Sequence, residues 1–248
     1  MTAWPRALIF DVDGTLAETE DTHRMAFNEV FAAEGLDWHW DQAVYRQLLK
    51  VTGGKERMRH WIDAFGARPV LDDTAIAALH RTKTARYTAM IDTRTVPLRP
   101  GIARLIDEAA AAGIALAIAT TTSLANVESL LRATLGDDAV SRFAAIAAGD
   151  MVTAKKPAPD VYSLALRQLG LPASACVAFE DSRNGLRSAH GAGLRCIITP
   201  SVYTDDEDFA GAALVVDHLG DVDRPVRLPA PLSGHTQVDL AALRELSA

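Results

Sequence analysis

Cysteine is scarce in this chain: only Cys176 and Cys196 occur in 248 residues, far apart and each inside an apolar run. Such spacing excludes a disulfide scaffold and a thiolate metal site, and reads as two buried free thiols in a reducing compartment. Long apolar runs are missing too. The longest stretch of small apolar residues, 109–119, is too short to span a bilayer and is broken by Gly113. The opening Met-Thr-Ala-Trp-Pro-Arg has no apolar signal core, so no leader and a cytoplasmic location are expected. Positive charge is in deficit, with 25 Lys and Arg against 32 Asp and Glu and a net charge of −7. That balance argues against nucleic-acid or anionic-membrane partners and leaves room for a small anionic substrate in a local basic pocket. Aromatics make up 6%. No repeat or low-complexity segment is present, and a monomer is expected.

What is present is an ordinary globular balance, 49% hydrophobic and 23% charged. Apolar runs at 6–10, 114–119, around 143–148, 175–179, 194–199 and 213–219 read as short strands, apolar on both faces. From the second onward they alternate with helical patterns, which predicts a parallel sheet covered on both sides. Residues 20–91 break the alternation: Phe27, Val30 and Phe31, then Val44, Leu48 and Leu49, then Met58, Ile62 and Phe65, then Ile76, Leu79, Lys83, Tyr87 and Ile91 recur at helical spacing. The expected architecture is therefore α/β, a Rossmann-like parallel sheet core at 1–17 and 96–248 with an inserted all-helical domain at 18–95. The tail from Pro225 is Pro-rich and then weakly helical, and receives no function.

In an open α/β sheet the ligand binds beyond the carboxyl ends of the strands. Here the first strand ends in Asp11-Val12-Asp13, the second in Thr120-Thr121-Thr122, the third leads to Lys155-Lys156-Pro157, and the fourth ends in Glu180-Asp181. Carboxylates crowded at the end of a buried strand are costly unless something positive is held there. With no His or Cys at these ends, a hard cation with oxygen ligands fits, and Mg²⁺ suits a site that also takes phosphate oxygens. Asp11 and Asp181 are the natural ligands, with Glu180 auxiliary. A lysine and hydroxyls around a carboxylate suit phosphoryl transfer, in which an ionised Asp can attack phosphorus and a second carboxyl can shuttle the proton.

Asp11-Val12-Asp13-Gly14-Thr15, Thr120, Lys156-Pro157 and Glu180-Asp181 together resemble the four-motif signature of the haloacid dehalogenase-like phosphotransferases, across essentially the whole chain. The resemblance implies Asp11 as nucleophile, Asp13 as general acid and base, and Thr120 with Lys156 as the phosphate-stabilising pair. It also implies Mg²⁺ held by Asp11, the Asp13 backbone carbonyl and Asp181, under a mobile helical cap. Within the superfamily the chain is most similar to the β-phosphoglucomutase-like branch. There "AETEDTHRMAFN" and "VTGGKERM" resemble the CbbY-type phosphatases, which act on xylulose 1,5-bisphosphate. The alternative on the same resemblance is a sugar-phosphate mutase.

Around this centre, His23 on the first insert helix stands as a gating or structural residue. Lys55, after Gly53-Gly54 at a helix start, suits a distal phosphate or is merely solvated. Lys83 on an otherwise apolar stripe favours substrate contact, Glu18 and Glu20 suit sugar hydroxyls or a helix start, and Thr121 and Thr122 either hold a second phosphate or finish a turn. Lys155 reads as a surface charge. "GGKE" lacks the upstream glycine and following hydroxyl of a P-loop, and Gly191-Ala192-Gly193 leaves a helix rather than opening one, so both are connectors. A signalling receiver would carry its acidic pair on the first strand and its phosphoacceptor later, the reverse of the order here.

Overall fold

The computed structural model describes residues 4–93 and 96–246. The expected end of the insert at 94–95, the first three residues and the last two lie outside them. Six strands form one sheet: β1 (Ala7–Phe10), β2 (Ala115–Ala119), β3 (Ala145–Ala147), β4 (Cys176–Glu180), β5 (Arg195–Ile198) and β6 (Leu214–Val215). Their order is β3-β2-β1-β4-β5-β6 and every pairing is parallel. The expected parallel α/β core is what forms. The last strand is shorter than its apolar run, two residues instead of seven, because only Leu214 and Val215 find partners on β5.

Each strand is too short and too apolar to face water, so both sheet faces are covered. Leu8 and Phe10 point into one cluster with Leu116, Ile118, Val177 and Phe179, and Ala7 and Ile9 into another with Ala117, Ala178 and Cys196. The first is covered by α5 (Ile102–Ala111), α6 (Leu124–Leu135) and the tail helix α9 (Leu240–Glu245); the second by α7 (Asp160–Leu169) and α8 (Arg183–Gly191). The tail thus has a packing role: Val226, Leu228, Leu232, Val238 and Leu243 are all buried against the first face.

Between β1 and α5 lie α1 (Glu20–Ala33), α2 (Gln42–Leu48), α3 (Gly54–Phe65) and α4 (Asp73–Thr93), with no strand among the described residues of this stretch. The scarce aromatics concentrate here. Phe27, Phe31, Trp38, Trp40 and Tyr45 are buried in a core separate from those of the sheet, with Trp61 against it. Asn28 locks the turn into this core, donating to the Trp40 carbonyl and accepting from its N–H, both at 2.8 Å. No described helix is long and apolar enough to cross a membrane.

The two passages between sheet and insert run side by side. Ala17 bridges Leu98, and the Arg99 N–H donates to the Leu16 carbonyl at 2.8 Å. The Arg99 guanidinium then binds the carbonyls of Gly14, Thr199, Pro200 and Asp217, tying the β1 loop to the loop after β5. Four carbonyls, three of them part-buried, share one side chain. Arg99→Met should therefore lower the unfolding free energy by about 2–4 kcal/mol, the order expected for several charge-assisted bonds left unmade, read as a lower urea midpoint at unchanged slope.

Candidate active site

Strand register assembles the site. Phe10 lies opposite Ile118 on one side and Phe179 on the other, and Asp11 extends the ladder by donating its N–H to the Phe179 carbonyl at 3.0 Å. One residue past this register come Asp11 and Glu180, and two past it Thr120 and Asp181. β1 is also where the strand order reverses, with later strands added first on the β2 side and then on the β4 side, so its carboxyl end opens into the crevice of the switch point.

Gly14 turns the chain at φ +80°, and a Cβ there would stand 2.4 Å from Asp181 Oδ2, so the first loop passes against the fourth strand's carboxylate. Gly149 makes the matching approach on the other side: its Cβ would meet the Thr121 carbonyl oxygen at 2.1 Å. The Gly149 N–H donates to Thr122 O at 2.8 Å. These contacts hold the hydroxyl loop, where Thr122 Oγ1 also accepts from Asn126 at 2.9 Å.

At the centre, Lys156 Nζ donates to Asp11 Oδ1 at 2.6 Å and to Glu180 Oε1 at 2.5 Å, and Tyr162 donates to the same Glu180 oxygen at 2.7 Å. Asp11, Lys156 and Glu180 are all buried. Burial, reinforced by Glu180 and Asp13, pushes Asp11 up to about 7 despite Lys156. Lys156 is raised because its two carboxylates outweigh burial. Asp181 goes well above the ordinary carboxylate range through burial and the nearby Asp11 and Glu180.

Asp11, Glu180 and Asp181 each offer an oxygen within 4.8 Å of the others. Three carboxylates face one ammonium, and Glu180 Oε2 is a buried atom without a partner. Uncompensated oxygens at this spacing fit a divalent hard cation. The donor set holds no softer ligand, which suits a hard cation of this kind.

Asp13 belongs to a second network. Its Oδ1 accepts from Thr19 at 2.6 Å and lies 2.9 Å from His23 Nε2, while Lys83 Nζ lies 2.5 Å from His23 Nδ1. With Lys83 donating to Nδ1, the imidazole carries its proton on Nε2 and donates it to Asp13. Burial alone would raise Asp13, but His23 and Thr19 overrule it and hold the carboxyl down to about 2. His23 is pushed down to about 4, by burial first and also by Lys83, against the pull of Asp13. Lys83 falls to about 7 through burial, opposed by Asp13. The aromatic faces of Phe27 and Tyr87 flank its ammonium, and Tyr87 stacks on His23 at 3.9 Å.

The cleft over these networks is lined from both the sheet and the insert. Asp11, Asp13, Thr120, Thr121, Thr122, Lys156 and Asp181 line it from below, and His23, Lys55 and Lys83 from above; Glu180 lies beneath them, fully buried. Glu18 is not brought in. It pairs with Arg99 Nε at 3.2 Å at the passage into the insert, and of the two glutamates Glu20 is the one that lines the cleft. Burial raises Glu20 to about 7; its Oε2 accepts from Tyr45 at 3.1 Å, and Tyr45 accepts from Arg57 at 2.8 Å. Lys155 is not a free surface charge: its side chain is 14% exposed, its Nζ donates to the Gly149 carbonyl, and it shares Asp150 with Lys55.

Arg57, Tyr45, Thr19, Asn126 and His80 escaped the sequence reading. Only Thr19 had a signal, a hydroxyl inside the first motif's extension. Arg57 neighbours the α3 stripe in sequence and looks like any solvent-facing arginine.

Gly149→Ala should lower the melting temperature and displace the Thr120–Thr122 loop, since a backbone carbonyl cannot yield as a side chain would. Overpacking of this kind costs about 1–3 kcal/mol, measurable by calorimetry. His80, against Gly54 in the cleft wall, is held down to about 4 by burial, with Lys83 and Lys55 adding to it. Its folded pKa lies below the unfolded 6.5. The unfolded chain therefore binds more protons between those values, and stability falls as pH drops from 6.5 to 4. His80→Gln should flatten that slope, by up to about 3 kcal/mol, in unfolding curves across that range.

A family model described as haloacid dehalogenase-like hydrolase matches residues 5–193. The chain is 52% identical over 242 residues to the plasmid-encoded protein CbbY of Cupriavidus necator, covering 96% of this chain and 95% of that one. A crystal structure of a CbbY variant from Rhodobacter sphaeroides in complex with xylulose-(1,5)bisphosphate superposes with a TM-score of 0.84 at 55% identity, over 88% of this chain and 97% of that one. A β-phosphoglucomutase from Clostridium difficile shares the fold, with a TM-score of 0.71 at 20% identity over 86% of this chain and 91% of that one. The four strand-end motifs, the acidic centre around Lys156 and these relatives agree: the chain belongs to the haloacid dehalogenase-like hydrolases, as a phosphatase of the CbbY type.

Proposed function

We propose that this phosphatase hydrolyses a sugar bisphosphate, xylulose 1,5-bisphosphate, with Mg²⁺ as cofactor and an aspartyl-phosphate on Asp11 as intermediate. The observation that carries the reading is the separation of two neighbouring carboxylates into two networks. Asp11 is held by Lys156, and Asp13 by Thr19 and His23. Held by different partners, two carboxylates two positions apart can take different roles, one as nucleophile and one as acid-base partner.

In this reading Asp11 attacks phosphorus and the bond to the sugar oxygen breaks, with Asp13 passing a proton to that oxygen. Asp13 then takes a proton from water as the water oxygen attacks phosphorus, which releases phosphate and restores Asp11. Asp13 rests ionised, the form the second half needs; an arriving phosphate dianion raises its proton affinity for the first. Lys156 and the Thr120 hydroxyl offset charge on the transferring group. Asp11, the Asp13 carbonyl and Asp181 would hold Mg²⁺, with Glu180 behind them, and the ion would neutralise the crowded carboxylates and phosphate oxygens.

Residues 18–95 act as a cap in this reading, bringing His23 and Lys83 down onto Asp13 and limiting access of bulk water to the site. Lys55 at the start of α3 takes the distal phosphate in exchange for Asp150, Thr121 and Thr122 line its path, and Glu20 accepts a sugar hydroxyl. The CbbY relatives, and the xylulose bisphosphate bound to one of them, support this substrate.

The test is phosphate release with Mg²⁺ from xylulose 1,5-bisphosphate, ribulose 1,5-bisphosphate and β-glucose 1-phosphate, with Asp11→Asn as the blank. Rapid release from the first, lost with Asp11→Asn and with chelation, is the expected result. Conversion of β-glucose 1-phosphate to the 6-phosphate without net release would overturn it in favour of a mutase. Lys55→Ala should raise KM for the bisphosphate by about 10- to 100-fold, the worth of one charge-assisted bond, with a smaller change in kcat.

A further inference from the structure

Tyr203 lies on the loop after β5, yet its ring is 6% exposed and sits in the aromatic core of the helical insert. It meets Tyr45 edge-on at 5.7 Å, and its hydroxyl donates to Asp21 Oδ1 on α1 at 2.5 Å. Thr204, the next residue, faces the opposite way. Its Oγ1 lies 2.8 Å from the Asp181 carbonyl and 3.2 Å from Asp181 Oδ2, and accepts from the Ser201 N–H at 2.9 Å. No salt bridge among the described residues reaches Asp181, and the hydroxyls of Thr204 and Ser201 on this loop are what orient its carboxylate.

The other contacts of the loop with the insert are weaker. Arg46 of α2 binds Asp205 and Asp206, both well exposed, so solvent screens those pairs; it also donates to the Val202 carbonyl and lies over the Tyr203 ring at 5.9 Å, which adds to the seating of that ring. The buried ring is the firm attachment. Its neighbour in the chain is the residue that holds the carboxylate, and a shift of one backbone unit moves the other.

We infer that Tyr203 and Thr204 form a positioning element that couples seating of the helical insert to orientation of Asp181: the carboxylate is set for a metal ion only while Tyr203 is docked. This rests on the reading above, in which Asp181 is a ligand of Mg²⁺ and the insert is a cap.

The test is calorimetric titration of the full chain with Mg²⁺ alone, without substrate. Thr204→Val should weaken binding about tenfold, as loss of a residue that orients a metal ligand does. Tyr203→Ala should weaken it in the same direction although Tyr203 touches no ligand. The double variant should lose less than the product of the two single losses, since both act through one path. Tyr203→Phe, which keeps the ring, should restore most of the affinity. If Tyr203→Ala does not fold, Tyr203→Leu serves in its place.

Parent-like Mg²⁺ affinity in the Tyr203 variant, with Thr204→Val weakened, would overturn the coupling alone. Failure of the parent chain to bind Mg²⁺ would overturn the metal reading, and the coupling with it.

Discussion

One ammonium group sets the terms for the rest of this molecule. Lys156 reaches from the turn after β3 to the ends of β1 and β4, binding Asp11 and Glu180 in a fully enclosed setting. Burying such charges is tolerable only when partners and hydrogen bonds meet them. The surrounding features meet that demand: Tyr162 takes up a Glu180 oxygen, β1 sits between β2 and β4 so that strand ends converge, and Gly14 lets the first loop press against Asp181. The pairing is nevertheless incomplete, because three carboxylates share one lysine. That residual negative charge is the physical reason the site suits a divalent cation.

The helical insert meets a different constraint. It has its own apolar core and is joined to the sheet by two adjacent passages, yet it supplies His23 and Lys83 to Asp13. The result is that the two carboxylates of Asp-Val-Asp belong to different halves of the molecule: Asp11 to the sheet through Lys156, Asp13 to the insert through His23. Two positions apart in the chain, they reach proton affinities near 7 and near 2. Tyr203 binds the halves together through its ring, while Arg99 ties loops of the sheet half to one another beside the passage into the insert.

Much of this was legible in the chain. The strands could be found because their runs are apolar on both faces, and the motif residues because carboxylates, hydroxyls and lysine follow the strands at the one rim where parallel sheets bind ligands. Lys83 could be suspected because a lysine on an apolar stripe has few other uses. Glu18 and Lys155 were misread for one reason: each is a charged residue beside a motif, and which way it points depends on partners distant in sequence. Glu18 turns to Arg99 and Lys155 to Gly149 and Asp150. Arg57, Tyr203 and Thr204 carried no local pattern at all.

By itself, then, the sequence determined the α/β class, the helical interruption after the first strand and the identity of the acidic centre, because period, burial pattern and strand-end chemistry are local properties. Only the tertiary structure decided which carboxylate Lys156 holds, that His23 lies between Lys83 and Asp13, that Glu20 rather than Glu18 faces the cleft, and that a loop after β5 reaches into the insert. Those are contacts between segments up to about 180 residues apart. Their geometry follows from register, twist and packing of the whole sheet, which no window along the chain contains.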